Sequence, residues 1–196
     1  MKKIGITGGV GAGKTAILNY IAEKYDSYIC KADEVAHDVE QKGEECYKEL
    51  LDNFGSEILD ADGNIDRDSF AEVIFSDNET LQAANDIIHP AVKKRILSLI
   101  QEQERKGTKY FILEAALLIE DGYKKILDEM WYIHASENIR RKRLIDSRGY
   151  SESKIDSIMM NQMREDEYRV NCDRIIVNNG DLQNAYSQID ELLGAK

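Results

Sequence analysis

The sequence predicts an α/β fold: a P-loop NTPase-like three-layer core with a five-stranded, mainly parallel sheet. Two observations carry this prediction. Short apolar runs alternate with longer amphipathic segments, and a glycine-rich loop joins the first run to the first amphipathic segment. Such alternation is typical of strands linked by crossover helices. A chain of 196 residues, of which 42% are hydrophobic, can bury one such core, so we expect a single domain.

Five apolar runs have the length of β-strands. They are 4–7, 27–30, 110–113, 130–134 and 174–177. Five further segments have hydrophobic residues at the 3.6-residue spacing of helices. They are 15–25, 91–104, 137–147, 153–162 and 182–193. Gly107 and Gly149 stand where helices commonly stop.

The stretch between the second and third apolar runs contains no convincing strand and is too long for a simple crossover. We therefore predict a helical substrate lobe at about 34–104, inserted into a core of about 1–33 and 105–196. The later basic segment, at about 137–165, predicts a helical lid over the ligand. Lobe and lid belong to the same single domain, 1–196, in this prediction.

The composition argues against polyanionic partners. Asp and Glu total 37 against 26 Lys and Arg, a net charge of −11, so the surface repels nucleic acid and anionic membranes. No segment approaches ~18 consecutive apolar residues, and the three cysteines lack the paired spacing of disulfides or zinc sites. We expect a cytoplasmic protein without nucleic-acid or membrane partners, and the sequence leaves its oligomeric state open.

The strongest motif is the G-x-x-x-x-G-K-T run at 8–15, which directly follows the first predicted strand and opens a helix. Its glycines let backbone N–H groups surround phosphate oxygens, Lys14 reaches the β- and γ-phosphates, and the Thr15 hydroxyl can ligate Mg²⁺. The predicted ATP-binding residues are Gly9, Val10, Gly11, Ala12, Gly13, Lys14, Thr15 and Ala16. The chain lacks the N-K-x-D segment of GTPases, which favours a small-molecule kinase that uses ATP and Mg²⁺.

Two acids follow predicted strands, at the sheet edge where ligands of α/β proteins bind. Asp33 could accept the proton of the acceptor hydroxyl or help to hold Mg²⁺, and its alternative role is to cap the next helix. Glu114 stands where a Walker-B-like carboxylate would orient Mg²⁺ through water, and its alternative is a strand-end acid without function. The predicted metal site is Thr15 with these two acids.

The densest basic patch of the chain lies in the predicted helix 137–147 and just beyond it. It comprises Arg140, Arg141, Lys142, Arg143 and Arg148. Arg140 and Arg143 share one helix face, a geometry suited to phosphate contacts, so we predict lid arginines at 140, 143 and 148. The alternative is a solvated helix face, paired with Glu137 and Asp146.

Shorter motifs accompany the P-loop in a fixed order along the chain. They are Ala32-Asp33 before a helix, Gly63-Asn64-Ile65-Asp66-Arg67, Ile88-His89-Pro90, Leu117-Leu118-Ile119-Glu120, Arg143-Leu144, Gln162, and Asp173-Arg174-Ile175-Ile176-Val177-Asn178-Asn179. With the P-loop, this ordered set resembles the dephospho-CoA kinase family over essentially the whole chain. The G-x-I-D-R and H-P motifs inside the lobe are its most specific part.

The resemblance implies transfer of a phosphoryl group from ATP to the ribose 3′-hydroxyl of dephospho-CoA, the last step of CoA biosynthesis. It implies catalytic roles for Lys14, Asp33 and Arg143. The acceptor-binding residues that it implies are Thr7, Asp33, Arg67 and His89. Two alternatives stay open at this point: a nucleoside or other small-metabolite kinase on the same core, and a catalytically silent P-loop protein that senses ATP or CoA.

The chain departs from the family pattern at several positions. Lys31 replaces the first acid of the usual D-A-D, Ala116 the proline of P-L-L, and Ala16 a second Ser or Thr after the P-loop lysine. Arg140 stands in place of the usual lid glutamine, and the last lid arginine is shifted by one residue, to Arg148. We expect these changes to leave the ATP site intact and to alter the lid and acceptor contacts.

Overall fold

The computed structural model describes residues 1–194, in which the chain forms two compact units. Within the described residues, the first unit comprises 1–29 and 106–194, and the second comprises Cys30–Arg105. The α-helices of the described chain are α1 (Lys14–Lys24), α2 (Ala32–Val39), α3 (Glu45–Phe54), α4 (Arg67–Ile74), α5 (Asn78–Lys106), α6 (Glu137–Arg148), α7 (Glu152–Met160), α8 (Glu165–Asn171) and α9 (Leu182–Leu193). Across residues 1–194, no helix is both long and apolar enough to cross a membrane.

The sheet has five strands and confirms the predicted α/β class. They are β1 (Lys2–Thr7), β2 (Ser27–Lys31), β3 (Tyr110–Glu114), β4 (Glu129–His134) and β5 (Arg174–Val177). Their order across the sheet is β2-β3-β1-β4-β5, and β1 pairs in parallel with β3 and β4, as β4 does with β5. All five predicted strands are present, and each is at most two residues longer than the apolar run that predicted it.

Successive residues of β1, β3 and β4 are buried, so both faces of the sheet are covered there, as is usual for parallel sheets. Ile4, Ile6 and Ile133 are fully buried in one cluster with Ile17 of α1 and Ile189 of α9. Because β1 is central, its carboxyl end at Thr7 lies between the carboxyl ends of β3 and β4. The loop that follows β1 therefore starts in the middle of the ligand-binding edge.

The second unit is helical, and one of its helices is longer than the sequence predicts. The predicted helix 91–104 is only the second half of α5, which begins at Asn78 and contains Pro90. The motif 63–67 forms a turn and a helix start: Gly63 has a φ of +79°, and the Asp66 carboxylate accepts a hydrogen bond of 2.8 Å from the Ser69 N–H at the start of α4. Arg67, which follows this turn, is the first residue of α4.

Candidate active site

The glycines of the P-loop allow a backbone path that other residues could not follow. Gly11 and Gly13 have φ values of +82° and +92°, in the left-handed region, where glycine is favoured. A Cβ atom on Gly8 would stand 2.5 Å from the Ile133 carbonyl oxygen of β4. The loop thus curls closely over the end of the sheet, and α1 begins directly after it at Lys14.

Lys14 and Glu114 meet at the base of this loop. The Lys14 ammonium donates a 2.7 Å hydrogen bond to the Gly8 carbonyl, and its Nζ lies 3.8 Å from a Glu114 carboxylate oxygen. The β1–β3 register, in which Ile6 pairs with Glu114, explains why the acid reaches the loop. Both side chains are less than one-fifth exposed, so this pair of charges lies in a protected position.

A cleft of about 640 Å³ opens over the P-loop, a volume typical of small-molecule sites. Its lining includes Gly9, Val10, Gly11, Gly13, Lys14, Thr15, Ala16, Glu114, Arg143, Arg148 and Asn178. Seven of the eight predicted ATP-binding residues line it. The exception, Ala12, is 1% exposed, and its carbonyl is held by the Asn178 amide at 2.8 Å.

Arg140 is bound to the outer part of the loop. Its Nε donates a 2.9 Å hydrogen bond to the Val10 carbonyl, and one of its terminal nitrogens donates to Gln162. The same Gln162 oxygen accepts a 3.4 Å hydrogen bond from the Val10 N–H. A side chain on Gly9 would collide with the Arg140 guanidinium. The arginine that replaces the usual lid glutamine thus packs on the P-loop backbone.

Arg143 lines the cleft and binds the next part of the loop. One terminal nitrogen lies 3.4 and 3.3 Å from the carbonyl oxygens of Gly11 and Ala12, and the other donates a 3.0 Å hydrogen bond to the Asn178 carbonyl. Arg148 also lines the cleft, at the last residue of α6. Two of the three predicted lid arginines therefore face the cleft in the structure.

Arg141 has a different environment from its neighbours in the basic run. Its guanidinium forms ion pairs with Glu137 at 2.8 Å, Glu152 at 2.9 Å and Asp156 at 2.6 Å. The hydrogen bonds that the guanidinium donates to these carboxylates, first of all to Glu137, raise the pKa of Arg141. Arg141 therefore joins α6 to α7, whereas Asp146, which the solvated-face alternative paired with the basic run, lines the cleft.

The remaining predicted site residues belong mainly to the second unit. Asp33 and Arg67 line a cavity of about 470 Å³ together with Glu34, His37 and Asp38. The helix α2 begins at Ala32 after Lys31 as N-cap, so Asp33 lies inside the first turn and the proposed capping role is wrong. His89 lies on α5 and is not among the residues that line this cavity.

Thr7 is the predicted acceptor residue that falls in the first unit. It ends β1 and is 1% exposed. The sequence predicts no role for Gln162 and Asn178, although both contact the P-loop. Asn178 directly follows β5, so the strand-end rule that selected Asp33 and Glu114 could have selected it as well.

The glycine-rich loop between the central strand and the first helix of a five-stranded parallel sheet defines a P-loop nucleoside-triphosphate-binding protein. The family model described as dephospho-CoA kinase matches residues 2–184. The chain is 37% identical to the dephospho-CoA kinase of Dehalococcoides mccartyi, over 91% of this chain and 89% of that protein. It is 34% identical to the Aquifex aeolicus dephospho-CoA kinase, over 98% and 96% of the two chains.

A crystal structure from Thermus thermophilus has a TM-score of 0.80 to this chain at 26% identity, and the match covers 98% of this chain and 96% of that one. The chain belongs to the dephospho-CoA kinase family, whose members catalyse the last step of CoA biosynthesis. The predicted family and kinase class are confirmed. Neither the silent P-loop protein nor another small-metabolite kinase is favoured by these relationships.

Proposed function

We propose that this protein transfers the γ-phosphoryl group of ATP to the ribose 3′-hydroxyl of dephospho-CoA, with Mg²⁺, in the cytoplasm. The acceptor oxygen forms a bond to the γ-phosphorus, the bond from that phosphorus to the β,γ-bridging oxygen breaks, and ADP leaves. The observation that carries the proposal is the cleft over the P-loop, with Lys14 and Glu114 at its base, in a chain of this family.

The P-loop and Lys14 would hold the triphosphate. Backbone N–H groups of an open glycine-rich loop and the amino end of α1 favour anions. The Lys14 ammonium, now on the Gly8 carbonyl at 2.7 Å, is close enough to the loop to exchange that oxygen for a phosphate oxygen. Its charge would then offset the negative charge that spreads over the transferring group.

The donor set around Thr15 suits Mg²⁺, which prefers hard oxygen ligands and keeps several waters and substrate phosphates in its shell. Thr15 and Glu114 line the same cleft, so the Thr15 hydroxyl can serve as ligand and the carboxylate can act through water. We assign Asp33 to the same ion or to the acceptor proton. Bound Mg²⁺ would supply charge neutralisation at the phosphates.

The acceptor would bind through the second unit. Asp33 in the first turn of α2 and Arg67 at the start of α4 line one cavity, which pairs a proton acceptor with a cation suited to the diphosphate of dephospho-CoA. We assign Thr7 and His89 to acceptor binding on the family pattern. The lid, at about 137–165, would comprise α6 and α7, with Arg143 and Arg148 facing the nucleotide.

A product assay tests the proposal. The protein is incubated with ATP, Mg²⁺ and, separately, dephospho-CoA, a set of nucleosides and a set of nucleotides, and the products are identified by mass. We expect CoA to form and the other acceptors to remain unmodified. Phosphorylation of a nucleoside in preference to dephospho-CoA, or no transfer to any acceptor, would refute the proposed function.

A further inference from the structure

Asn178 is one of the few polar side chains buried in the described chain. It is 1% exposed, and its amide nitrogen donates a 2.8 Å hydrogen bond to the Ala12 carbonyl of the P-loop. The residue itself is held by its backbone: its N–H donates to the His134 carbonyl at 2.7 Å, and its carbonyl accepts from Arg143 at 3.0 Å. The amide therefore reaches the loop from a fixed position at the end of β5.

The Ala12 carbonyl matters because it belongs to the same peptide group as the Gly13 N–H. In a trans peptide these two groups point in opposite directions, so a donor on the Ala12 oxygen also sets the direction of the Gly13 N–H. An anion-binding loop must present N–H groups to the phosphates and keep its carbonyl oxygens occupied elsewhere. Asn178 at 2.8 Å and Arg143 at 3.3 Å occupy this oxygen.

The backbone cannot fix this peptide group by itself. Rotation of the peptide between residues 12 and 13 changes φ of Gly13, and glycine adopts both signs of φ at little cost. The observed φ is +92°, and a Cβ atom on Gly13 would collide with the Asn178 amide nitrogen. Gly13 therefore leaves the peptide group free to rotate and leaves space for the Asn178 amide. The hydrogen bond from that amide then prevents the rotation.

From this geometry, and on the basis of the proposed use of ATP, we propose that Asn178 is a positioning residue for phosphate binding. Its side-chain amide acts through the Ala12 carbonyl and holds the Gly13 N–H in the direction in which it binds phosphate. On this account Asn178 contributes to the affinity for the polyphosphate part of the nucleotide and contributes nothing to the affinity for adenosine.

The test measures dissociation constants of three probes, inorganic tripolyphosphate, ATP and adenosine, by calorimetry on the full chain without dephospho-CoA. The variants are Asn178→Asp, which replaces the donor by an acceptor, and Asn178→Ala, which removes the donor without adding a buried charge. Asn171→Asp is the matched control, because the Asn171 amide also donates to a backbone carbonyl, that of Glu167 at 2.9 Å in α8. Thermal melts show whether each variant is folded.

We expect both Asn178 variants to bind tripolyphosphate and ATP about tenfold more weakly, which corresponds to the free energy of one hydrogen bond. The dissociation constant of adenosine should be unchanged. The control should match the wild type with all three probes. Equal weakening of all three probes, weakening of adenosine alone, or no change in folded Asn178→Ala would overturn the inference. A wild-type protein that binds neither tripolyphosphate nor ATP would refute the proposed function, and the inference with it.

Discussion

Arg143 and Arg141 lie in the same basic run but in different surroundings, so their replacement by alanine should affect different properties of the protein. Arg143 lines the cleft over the P-loop and contacts the carbonyls of Gly11 and Ala12. Arg141 is surrounded by three carboxylates that join α6 to α7. Arg143→Ala should therefore lower catalytic efficiency, and Arg141→Ala should lower thermal stability.

The size of the first effect follows from the contacts of the Arg143 guanidinium. Two charge-assisted hydrogen bonds, to loop carbonyls or to phosphate oxygens in their place, are worth roughly 1.5 kcal/mol each. Their loss amounts to about 3 kcal/mol, or on the order of 10²-fold in kcat/KM. Arg141 has no contact with the loop or the cleft among its hydrogen bonds and ion pairs, so Arg141→Ala should leave kcat/KM within about twofold.

The assay is the steady-state rate of CoA formation by both variants and the wild type, with ATP and dephospho-CoA each varied, beside a thermal melt of each protein. We expect a large loss of kcat/KM in Arg143→Ala and a lower Tm with near-normal rates in Arg141→Ala. Small and equal losses of rate in both variants would show that the basic run is only a solvated helix face.

Three further predictions concern single side chains. Lys14→Ala should nearly abolish turnover with little change in Tm, because the ammonium acts on phosphate charge; substantial turnover in the folded variant would remove Lys14 from the mechanism. Asp33→Asn should lower kcat far more than it weakens ATP binding, since the amide cannot accept a proton; an unchanged kcat would exclude the role. Hydrogen bonds from Lys24, Tyr25 and Tyr20 lower the pKa of Asp190 to about 2, so its stabilising effect is present above the unfolded pKa of ~3.9 and is lost as the pH falls through 2. The Tm difference between wild type and Asp190→Asn should shrink from pH 5 to pH 2, and a constant difference would contradict this.

The sheet was predictable because its signal is local. Each strand of a parallel sheet is buried on both faces, so it appears in the sequence as an unbroken apolar run, such as 110–113. The P-loop was predictable for the same reason, since the glycines and Lys14 are adjacent in sequence and need only a strand before them and a helix after them.

The helices α5 and α8 differ from the prediction for two separate reasons. A proline inside a helix commonly ends or kinks it, yet α5 continues through Pro90. Ala84 before the proline and Val92 and Ile96 after it are all buried. Their burial offsets the roughly 3 kcal/mol that an internal proline costs. The helix α8 was not predicted, because Tyr168 is its only buried residue. A seven-residue segment with a single buried residue shows no helical spacing of hydrophobic residues.

The partners of the arginines could not be read from the sequence. A helix face shows that Arg140 and Arg143 point the same way, but their separate acceptors, the carbonyls of Val10 and Ala12, lie about 130 residues away in the chain. Such contacts depend on how α6 meets the loop after β1. The sequence thus located the site and its charged groups, and the structure was needed to show which groups hold the loop.

A single phosphoryl transfer from ATP to dephospho-CoA yields one ADP for each CoA, so the ratio of ADP to CoA formed tests the proposed function directly. Both products are quantified over time with Mg²⁺ and saturating ATP, with and without dephospho-CoA. We predict equal amounts of ADP and CoA in the presence of the acceptor, and almost no ADP in its absence. Formation of ADP at the same rate without dephospho-CoA, or of ADP without CoA, would contradict the account.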